Sequence, residues 1–264
     1  MNETQFVEEF GPVALVTGAS YGIGKAFAER LAAMGMDLVL VARRVERLNA
    51  LAARLEKERA VHVKVCQVDL SRATAAAQII EATSSLDIGL VISNAGFGLK
   101  GDHAANEPAA MTDMLMVNCN TPMLLARGFI PRLRERRKGG IIFTSSVEGL
   151  MGCPYSTAYS ASKALVNSLG EGLWGELNPE GIKVLTICPG ATATEAAALQ
   201  GIDLSTLKNV MAPEQVVELA FENINNGPVF ICSEHYKAIF DQLLSMPRRQ
   251  ALAAMAGSMK KPGA

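Results

Sequence analysis

The 264-residue chain lacks the features that mark several specialised classes of protein. Its net charge is only −1, so it has no excess of basic residues for a nucleic-acid surface. The basic run from Arg132 to Lys138 is interpreted as the solvated last turn of a helix, where cations oppose the helix dipole. No apolar run approaches the roughly 20 residues that span a bilayer. Neither nucleic acid nor a membrane is therefore expected as a partner.

Cysteine and histidine are scarce and scattered. The five cysteines are odd in number and form no Cys-x-x-Cys pair, which disfavours a cysteine-based redox protein. Cys66, Cys188 and Cys232 lie in apolar runs, which predicts buried thiols in a reducing cytoplasm. The acidic start through Glu9 has no signal-peptide pattern, which favours the same location. The three histidines lack metal-ligand spacing, so no metal is expected.

What the chain does have is a regular alternation of strand-like and helix-like segments. The strand candidates are apolar throughout, as parallel strands covered on both faces should be. They are Val13–Thr17, Asp37–Ala42, Val61–Val68, Leu90–Ser93, Gly140–Ser145, Lys183–Cys188 and Val229–Cys232. The amphipathic helix candidates between them are Gly24–Met34, Val45–Arg59, Arg72–Ser84, Ala109–Arg137, Ala158–Leu177 and Pro213–Asn225.

This order predicts an α/β protein with a doubly wound, seven-stranded parallel sheet and helices on both faces. No repeat or linker divides it, so residues 1–264 are expected to form one domain. A Met-rich, helix-like tail is predicted over 234–259, and residues 260–264 are expected to be disordered.

A glycine-rich turn closes the first predicted strand. Gly18, Gly22 and Gly24 follow Val13–Thr17 and open a helix. Missing side chains let the backbone approach a pyrophosphate, and the helix N-terminus supplies free N–H groups and positive potential. The turn therefore predicts a dinucleotide site, with Ser20, Tyr21 and Ile23 in the same loop.

The end of the second predicted strand indicates which nicotinamide dinucleotide binds. An acidic residue there would bond the ribose hydroxyls and repel a 2′-phosphate. Here Arg43 and Arg44 occupy that place. Because a guanidinium can fork onto a phosphate, NADP(H) is the predicted cofactor.

A tyrosine and a lysine lie one helical turn apart in the second half of the chain. Tyr159 precedes Lys163 by four residues, so both face the same side of a helix. A free phenol has a pKa near 10, and a nearby ammonium group favours phenolate. Ser146 ends the apolar run that starts at Gly140, thirteen residues before the tyrosine. Ser145 is its competitor, and the spacing favours Ser146.

This ordered set resembles the short-chain dehydrogenase/reductase family from about Val13 to Ser233, with the Rossmann-like fold of that family. The resemblance implies that Tyr159 is the general acid and base and that Ser146 orients the substrate oxygen. Lys163 would also bond the nicotinamide ribose. Asn118 matches the family asparagine that interrupts a long helix and holds a water, with Asn120 as a competitor. An NADP(H)-binding regulator without turnover is the alternative, which the intact catalytic set disfavours.

Further segments match the family's cofactor contacts. Asp69 and Leu70 follow the third strand, where relatives hold the adenine ring. Asn94-Ala95-Gly96 ends the fourth strand, and Asn94 is expected to tie strands together. After the sixth strand, Pro189, Gly190, Thr192 and Thr194 would lie along the nicotinamide, with Thr194 bonding its carboxamide. Tyr21 departs from NADP-preferring relatives, which often carry a basic residue there.

The substrate pocket is expected over the carboxyl ends of the strands. Its predicted walls are Phe97–Gly101, Leu150–Tyr155 and a lid over Ala191–Ala212. Their apolar residues are Phe97, Leu99, Leu150, Met151, Cys153, Tyr155, Leu199, Ile202, Leu204 and Leu207. The charges there are Lys100, Asp102, Glu148, Glu195, Asp203 and Lys208. The composition favours an apolar ketone or secondary alcohol, and the chain resembles the hydroxysteroid dehydrogenase and long-chain acyl reductase branches.

The family usually pairs subunits through its two long helices, which here are about Ala109–Arg137 and Ala158–Leu177. A homodimer or homotetramer is therefore expected. The Met-rich tail is expected either to add to an interface or to cover the substrate pocket.

Overall fold

The computed structural model describes residues 2–199 and 203–259. Within these residues, seven strands form one parallel sheet in the order β3-β2-β1-β4-β5-β6-β7. The strands are β1 (Val13–Thr17), β2 (Asp37–Ala42), β3 (Val63–Gln67), β4 (Ile88–Ser93), β5 (Gly140–Thr144), β6 (Lys183–Cys188) and β7 (Val229–Ile231). Each residue of β1, β4 and β5 is buried, which explains their uninterrupted apolar sequences.

Helices cover both faces of the sheet. They are α1 (Glu3–Phe10), α2 (Gly22–Ala33), α3 (Val45–Arg59), α4 (Ala75–Ala82), α5 (Pro108–Leu115), α6 (Thr121–Arg136), α7 (Thr157–Leu177), α8 (Glu195–Leu199), α9 (Pro213–Glu222), α10 (Glu234–Ser245) and α11 (Arg248–Met259). One apolar core joins α1, α2, α3 and α9 to the sheet, and a second joins α4, α6 and α7 to its other face. The predicted doubly wound α/β fold is confirmed.

Two helical features differ from the predictions. The helix predicted over Ala109–Arg137 is α5 and α6 joined by a π-helical turn, Met116–Asn120. The tail is two helices, because Pro247 follows α10 and cannot continue its hydrogen bonding. Residues 260–264, expected to be disordered, lie outside the described residues, as do residues 200–202 of the predicted lid.

The N-terminal helix α1 was not expected from the acidic segment that forms it. Asn2 and Gln5 cap it reciprocally, each side chain bonding the other residue's backbone N–H. Phe6 and Phe10 are buried against each other, and Phe6 also packs against Phe221. Two aromatic side chains spaced by one turn therefore attach this helix to the core.

The sheet topology creates a crevice between β1 and β4. At this point the direction in which successive strands are added to the sheet reverses. β1 pairs with both β2 and β4, so the chain winds outward on each side of it. The loops that follow β1, β4, β5 and β6 consequently meet at one edge of the sheet. Parallel sheets place ligands at this carboxyl edge.

Candidate active site

A single cavity of about 1640 Å³ occupies the carboxyl edge of the sheet. It is larger than the roughly 300–1,000 Å³ typical of a small-molecule pocket, so it has room for a dinucleotide together with a second ligand. The predicted site residues that line it are Gly18, Ser20, Tyr21, Gly22, Ile23, Arg43, Arg44, Asp69, Leu70, Asn94, Ala95, Gly96, Ser146, Tyr159, Lys163, Pro189, Gly190, Thr192 and Thr194. Gly24 and Asn118 lie just behind this surface.

The glycine loop at one end of the cavity has no room for side chains. Gly18 and Gly22 have φ of +68° and +57°, in the left-handed region that favours glycine. A Cβ on Gly24 would lie 2.3 Å from the Gly18 carbonyl oxygen. The loop therefore presents bare backbone beside the N-terminus of α2, which is the cradle that a pyrophosphate requires.

Hydrogen bonds from β1 hold the neighbouring segment after β4. The Thr17 hydroxyl accepts from the backbone N–H groups of Asn94 at 2.9 Å and Ala95 at 3.1 Å. The Asn94 side chain in turn donates to the Thr17 carbonyl oxygen at 3.1 Å. Asn94 thus links the ends of two strands beside the glycine loop, in the position predicted for it.

The arginine pair after β2 lies at the same end, and one member has a partner that the sequence did not reveal. Arg44 donates to Glu195 Oε2 at 3.1 Å and to Ser20 Oγ at 3.4 Å. Arg47 donates to the other Glu195 oxygen at 2.5 Å. These hydrogen bonds, from Arg47 first and then Arg44, lower the pKa of Glu195. Arg43 is exposed at the cavity rim.

Asp69 is held in place by its own loop. Its carboxylate accepts from the Ser71 backbone N–H at 3.1 Å and from the Ser71 hydroxyl at 2.9 Å. Burial acts to raise the pKa of Asp69, but these hydrogen bonds and the nearby cations Arg43 and Arg72 lower it overall. A fixed, ionised carboxylate therefore follows β3.

Ser146, Tyr159 and Lys163 meet on one wall near the middle of the cavity. Lys163 is buried, with its Nζ 5.7 Å from the Tyr159 ring centroid and donating to the Thr144 carbonyl oxygen at 2.8 Å. Ser146 begins the short 3-10 turn after β5. Its competitor Ser145 donates its hydroxyl to the Lys163 carbonyl at 3.0 Å, which leaves Ser146 as the serine adjacent to the phenol.

The proton affinities on this wall are shifted by burial. Burial raises the pKa of the Tyr159 phenol, the Glu148 carboxylate raises it further, and the Ser146 hydroxyl lowers it by less. Burial also lowers the pKa of Lys163 to about 8. Lys163 is expected to favour the phenolate, and burial together with Glu148 acts in the opposite direction.

The π-helical turn places Asn118 behind the same wall. Its Oδ1 accepts from the Phe97 backbone N–H at 3.1 Å, and its Nδ2 donates to the Phe97 carbonyl at 2.9 Å and to Ser162 Oγ at 3.0 Å. A Cβ on Gly96 would lie 3.1 Å from both Asn118 Oδ1 and Lys163 Nζ. Only a glycine leaves that space open. Asn118, rather than Asn120, therefore adjoins the lysine.

The other end of the cavity is formed by the lid and the tail. The lid is closed at its base, because Ala193 donates to the Met211 carbonyl at 2.8 Å and Met211 donates to the Ala191 carbonyl at 2.9 Å. The tail contributes residues from both of its helices, including Tyr236, Phe240, Leu243, Met246, Met255 and Met259. Of the two places expected for the tail, the structure shows it covering the cavity.

Some predicted wall residues do not reach the cavity. Leu99, Leu150 and Met151 are absent from its lining, whereas Phe97, Cys153 and Leu207 are part of it. Leu150 and Met151 instead pack in an apolar cluster beneath the tail. Ile202 lies outside the described residues. The sequence also missed a contact between two of the wall charges, Lys100 and Glu148.

The cysteines are reduced, and Cys153 is one of the residues that line the cavity. The five cysteines are free and buried, as expected for Cys66, Cys188 and Cys232. No group of three or more potential metal ligands was found over 2–199 and 203–259. Within the same ranges, none of the helices combines the length and apolarity that crossing a bilayer requires.

Comparison with known proteins agrees with this architecture. The family model for short chain dehydrogenase matches residues 12–203. A 7beta-hydroxysteroid dehydrogenase from Clostridium sardiniense is 31% identical over 251 residues, which cover 95% of this chain and 96% of the relative. The chain therefore belongs to the short-chain dehydrogenase family, and its predicted resemblance is confirmed.

Solved structures show the same relationship. A short-chain dehydrogenase from Sphingobium yanoikuyae in complex with NADPH is 36% identical with a TM-score of 0.82, covering 96% of this chain and 98% of that one. A bulky-bulky ketone specific alcohol dehydrogenase from Comamonas testosteroni is 33% identical with a TM-score of 0.76, covering 96% and 97%.

Proposed function

We propose that the protein interconverts a large, apolar ketone and the corresponding secondary alcohol with NADP(H) as cofactor. The observation that carries this proposal is the convergence of Ser146, Tyr159 and Lys163 on one wall of a cavity whose far end is the glycine loop. One domain, residues 1–264, then provides both the cofactor and the substrate site.

The cofactor end fits a phosphorylated dinucleotide. Gly18, Gly22 and Gly24 leave backbone space for the pyrophosphate, and Arg43 and Arg44 can fork onto a 2′-phosphate. Asp69 and Leu70 would adjoin the adenine, and Thr194 the carboxamide. The relative from Sphingobium yanoikuyae, solved with NADPH, supports the same assignment.

The catalytic wall supplies the proton. When bound, the nicotinamide supplies or accepts the hydride. Ser146 hydrogen-bonds the substrate oxygen, and Tyr159 gives that oxygen a proton during reduction or takes one during oxidation. The Tyr159 phenol carries its proton at neutral pH, as the acid in ketone reduction must, and burial makes that proton harder to release. Lys163 would hold the nicotinamide ribose, and Asn118 would keep a water beside the lysine.

The substrate end favours a bulky, apolar molecule. Phe240, Leu243 and Met255 from the tail line the cavity together with Leu204 and Leu207 of the lid. Methionine side chains adapt to irregular apolar shapes, so the wall suits a steroid-like or acyl ketone. The relatives named for 7beta-hydroxysteroids and for bulky-bulky ketones support this substrate class.

Assembly and location complete the proposal. Leu115, Met123 and Leu165 are 47%, 39% and 36% exposed on α5, α6 and α7. Apolar exposure on these helices supports a homodimer or homotetramer formed through them. Buried free thiols support a reducing cytoplasm.

The decisive test offers NADPH and NADH with a panel of ketones and alcohols that includes steroids and acyl derivatives. We expect bulky ketones to oxidise NADPH. The fall in nicotinamide absorbance measures this oxidation. Replacing both Arg43 and Arg44 by alanine should weaken NADPH binding far more than NADH binding. The loss of NADPH affinity should shrink at high salt. NADPH binding with no turnover across the panel would instead indicate a regulator.

A further inference from the structure

An ion pair with little exposure lies in the cavity wall. Lys100 Nζ lies 2.6 Å and 2.7 Å from the two Glu148 carboxylate oxygens, and the side chains are 18% and 22% exposed. The same ammonium group donates to Ser156 Oγ at 2.8 Å. The Ser156 hydroxyl in turn donates to Glu148, which closes a three-residue network.

This network joins three loops that carry the catalytic wall. Lys100 lies in the loop after β4, Glu148 in the turn after β5, and Ser156 immediately before α7. Ion pairs of this kind require good geometry to offset the loss of water, and here the carboxylate and the ammonium group are each hydrogen-bonded more than once. A pair built this closely inside the cavity is unlike the exposed pairs elsewhere in the fold.

Both charges act on the proposed proton donor. Lys100 Nζ lies 5.2 Å from the Tyr159 ring centroid, a distance close to the 5.7 Å of Lys163. The Glu148 backbone N–H donates to Ser146 Oγ at 3.2 Å, and its carboxylate raises the pKa of Tyr159. The carboxylate thus favours the protonated phenol, and the ammonium group opposes that effect.

Other titratable groups surround these residues from every side. Lys163 faces the tyrosine from α7, Cys153 from the preceding loop and Cys188 from β6. Tyr236 faces Glu148 from α10. Asp102, Tyr155 and Asp203 line the same cavity. Among these described groups, Lys100 and Lys163 supply the positive charges over the phenol ring.

We infer that Lys100 is a positioning residue for the reaction: it neutralises Glu148 beside Tyr159 and fixes the three loops, so that the phenol can exchange its proton with substrate. The inference rests on the proposed function and extends it, because it adds a second lysine to the control of the tyrosine. Lys100 acts through Glu148 and the ring, whereas Lys163 also adjoins the cofactor site.

The first test is the pH profile of alcohol oxidation for four proteins: wild type, Lys100→Met, Glu148→Gln and the double variant. Lys100→Met leaves the Glu148 carboxylate without its counter-charge. The midpoint of the variant's pH–rate profile should therefore move up by about one pH unit, and its rate below the midpoint should be roughly tenfold lower. Glu148→Gln should move the midpoint down. The double variant should return close to wild type, because both charges are gone.

Two further variants separate this role from simple structural support. Lys100→Arg keeps the charge and should retain the wild-type midpoint. Lys237→Met removes an exposed ion pair with Asp241 on α10 and should change neither rate nor midpoint. An unshifted profile in folded Lys100→Met, or a double variant that keeps the full shift of that single variant, overturns the inference.

The last arm needs no substrate, so its failure is distinct from failure of the proposed function. Phenolate absorbance is titrated in wild type and Glu148→Gln, each corrected with its own Tyr159→Phe partner. Tyr159 should ionise at a lower pH in Glu148→Gln than in wild type. Equal ionisation in the two backgrounds overturns the inference even if the enzyme turns over ketones, and a lower value supports it even if the substrate panel is inactive.

Discussion

The two ends of the cavity are built by different means. The cofactor end is mostly backbone: Gly18, Gly22 and Gly24 leave no space for side chains, and Thr17 bonds the backbone after β4. The substrate end is mostly side chains, contributed by a lid and by two tail helices that pack on the last two strands. A site made of backbone tolerates almost no change, whereas a wall of methionine and leucine side chains can change shape at small cost.

The wall between these two ends should give the largest effect. Tyr159→Phe keeps the ring but removes the proton, so turnover should fall by at least about 10²-fold while NADPH affinity stays unchanged. Lys163→Met should reduce both turnover and NADPH affinity, because Lys163 lies between the cofactor end and the substrate end. Rates from nicotinamide absorbance and affinities from fluorescence distinguish the two variants. Near-normal turnover in Tyr159→Phe would remove it from the mechanism.

Shortening one tail side chain should weaken substrate binding and leave cofactor binding unchanged. Phe240 is 5% exposed and lines the cavity, so Phe240→Ala should cost about 3 kcal/mol of unfolding free energy. KM for a bulky ketone should rise while NADPH affinity is retained. Denaturant unfolding and steady-state kinetics measure the two effects. A parallel loss of NADPH affinity would show that the ends are not separable.

Adding one methyl group should damage the cofactor end. The Cβ of Gly24→Ala would lie 2.3 Å from the Gly18 carbonyl, and such overpacking costs about 1–3 kcal/mol. Gly175→Ala is the matched control, because that helical glycine has no atom within 4 Å of an added Cβ. The control should gain about 0.5–1 kcal/mol. Equal effects of the two variants on stability and NADPH affinity would contradict a tightly packed loop.

The buried lysine between the two ends should make stability depend on pH. Its pKa is lowered to about 8 by burial, so above pH 8 the unfolded chain holds a proton that the folded chain has lost. Stability should therefore rise with pH in that window. Between pH 8 and 9, wild type should gain about 1 kcal/mol relative to Lys163→Met.

The comparison with that variant is needed because buried thiols act in the opposite direction. Burial raises the pKa values of Cys188 and Cys232 to about 12, so their contribution to stability falls as unfolded thiols ionise. Wild type and Lys163→Met share this loss. The difference between their free energies of unfolding at each pH, measured by chemical unfolding, therefore reports the contribution of the lysine. Parallel curves would place the lysine in a more solvated environment.

The smallest effect is expected at the rim of the cofactor end. Glu195 accepts from Arg44, so it competes with a 2′-phosphate for that guanidinium. Glu195→Gln should raise NADPH affinity by up to about fivefold and leave NADH affinity unchanged, as expected for an exposed pair. Glu180→Gln, which removes the exposed pair with Arg134, is the control. Unchanged NADPH affinity would show that Arg44 does not reach the phosphate.

The contrast between the ends also explains which features the sequence reveals. The glycine loop and the Tyr159–Lys163 spacing are local patterns, so neighbouring residues predict them. The Lys100–Glu148 pair joins residues 48 apart in two loops, and no periodicity indicates that these loops meet. Leu150 and Met151 were assigned to the wrong side of their loop for the same reason. The break in the tail at Pro247 did have a signal, since proline rarely continues a helix.

One close contact joins the tail to the loop after β6. Gly190 lies against the Tyr236 ring, where an added Cβ would be 2.1 Å from Cδ2. The first of the two last helices thus packs on a position without a side chain, in the loop that follows β6. The position of the chain from Ser233 onward therefore depends on a residue at 190 that has no side chain. A bulkier residue at position 190 would therefore displace the cover of the cavity without touching the loops that follow β1 and β2.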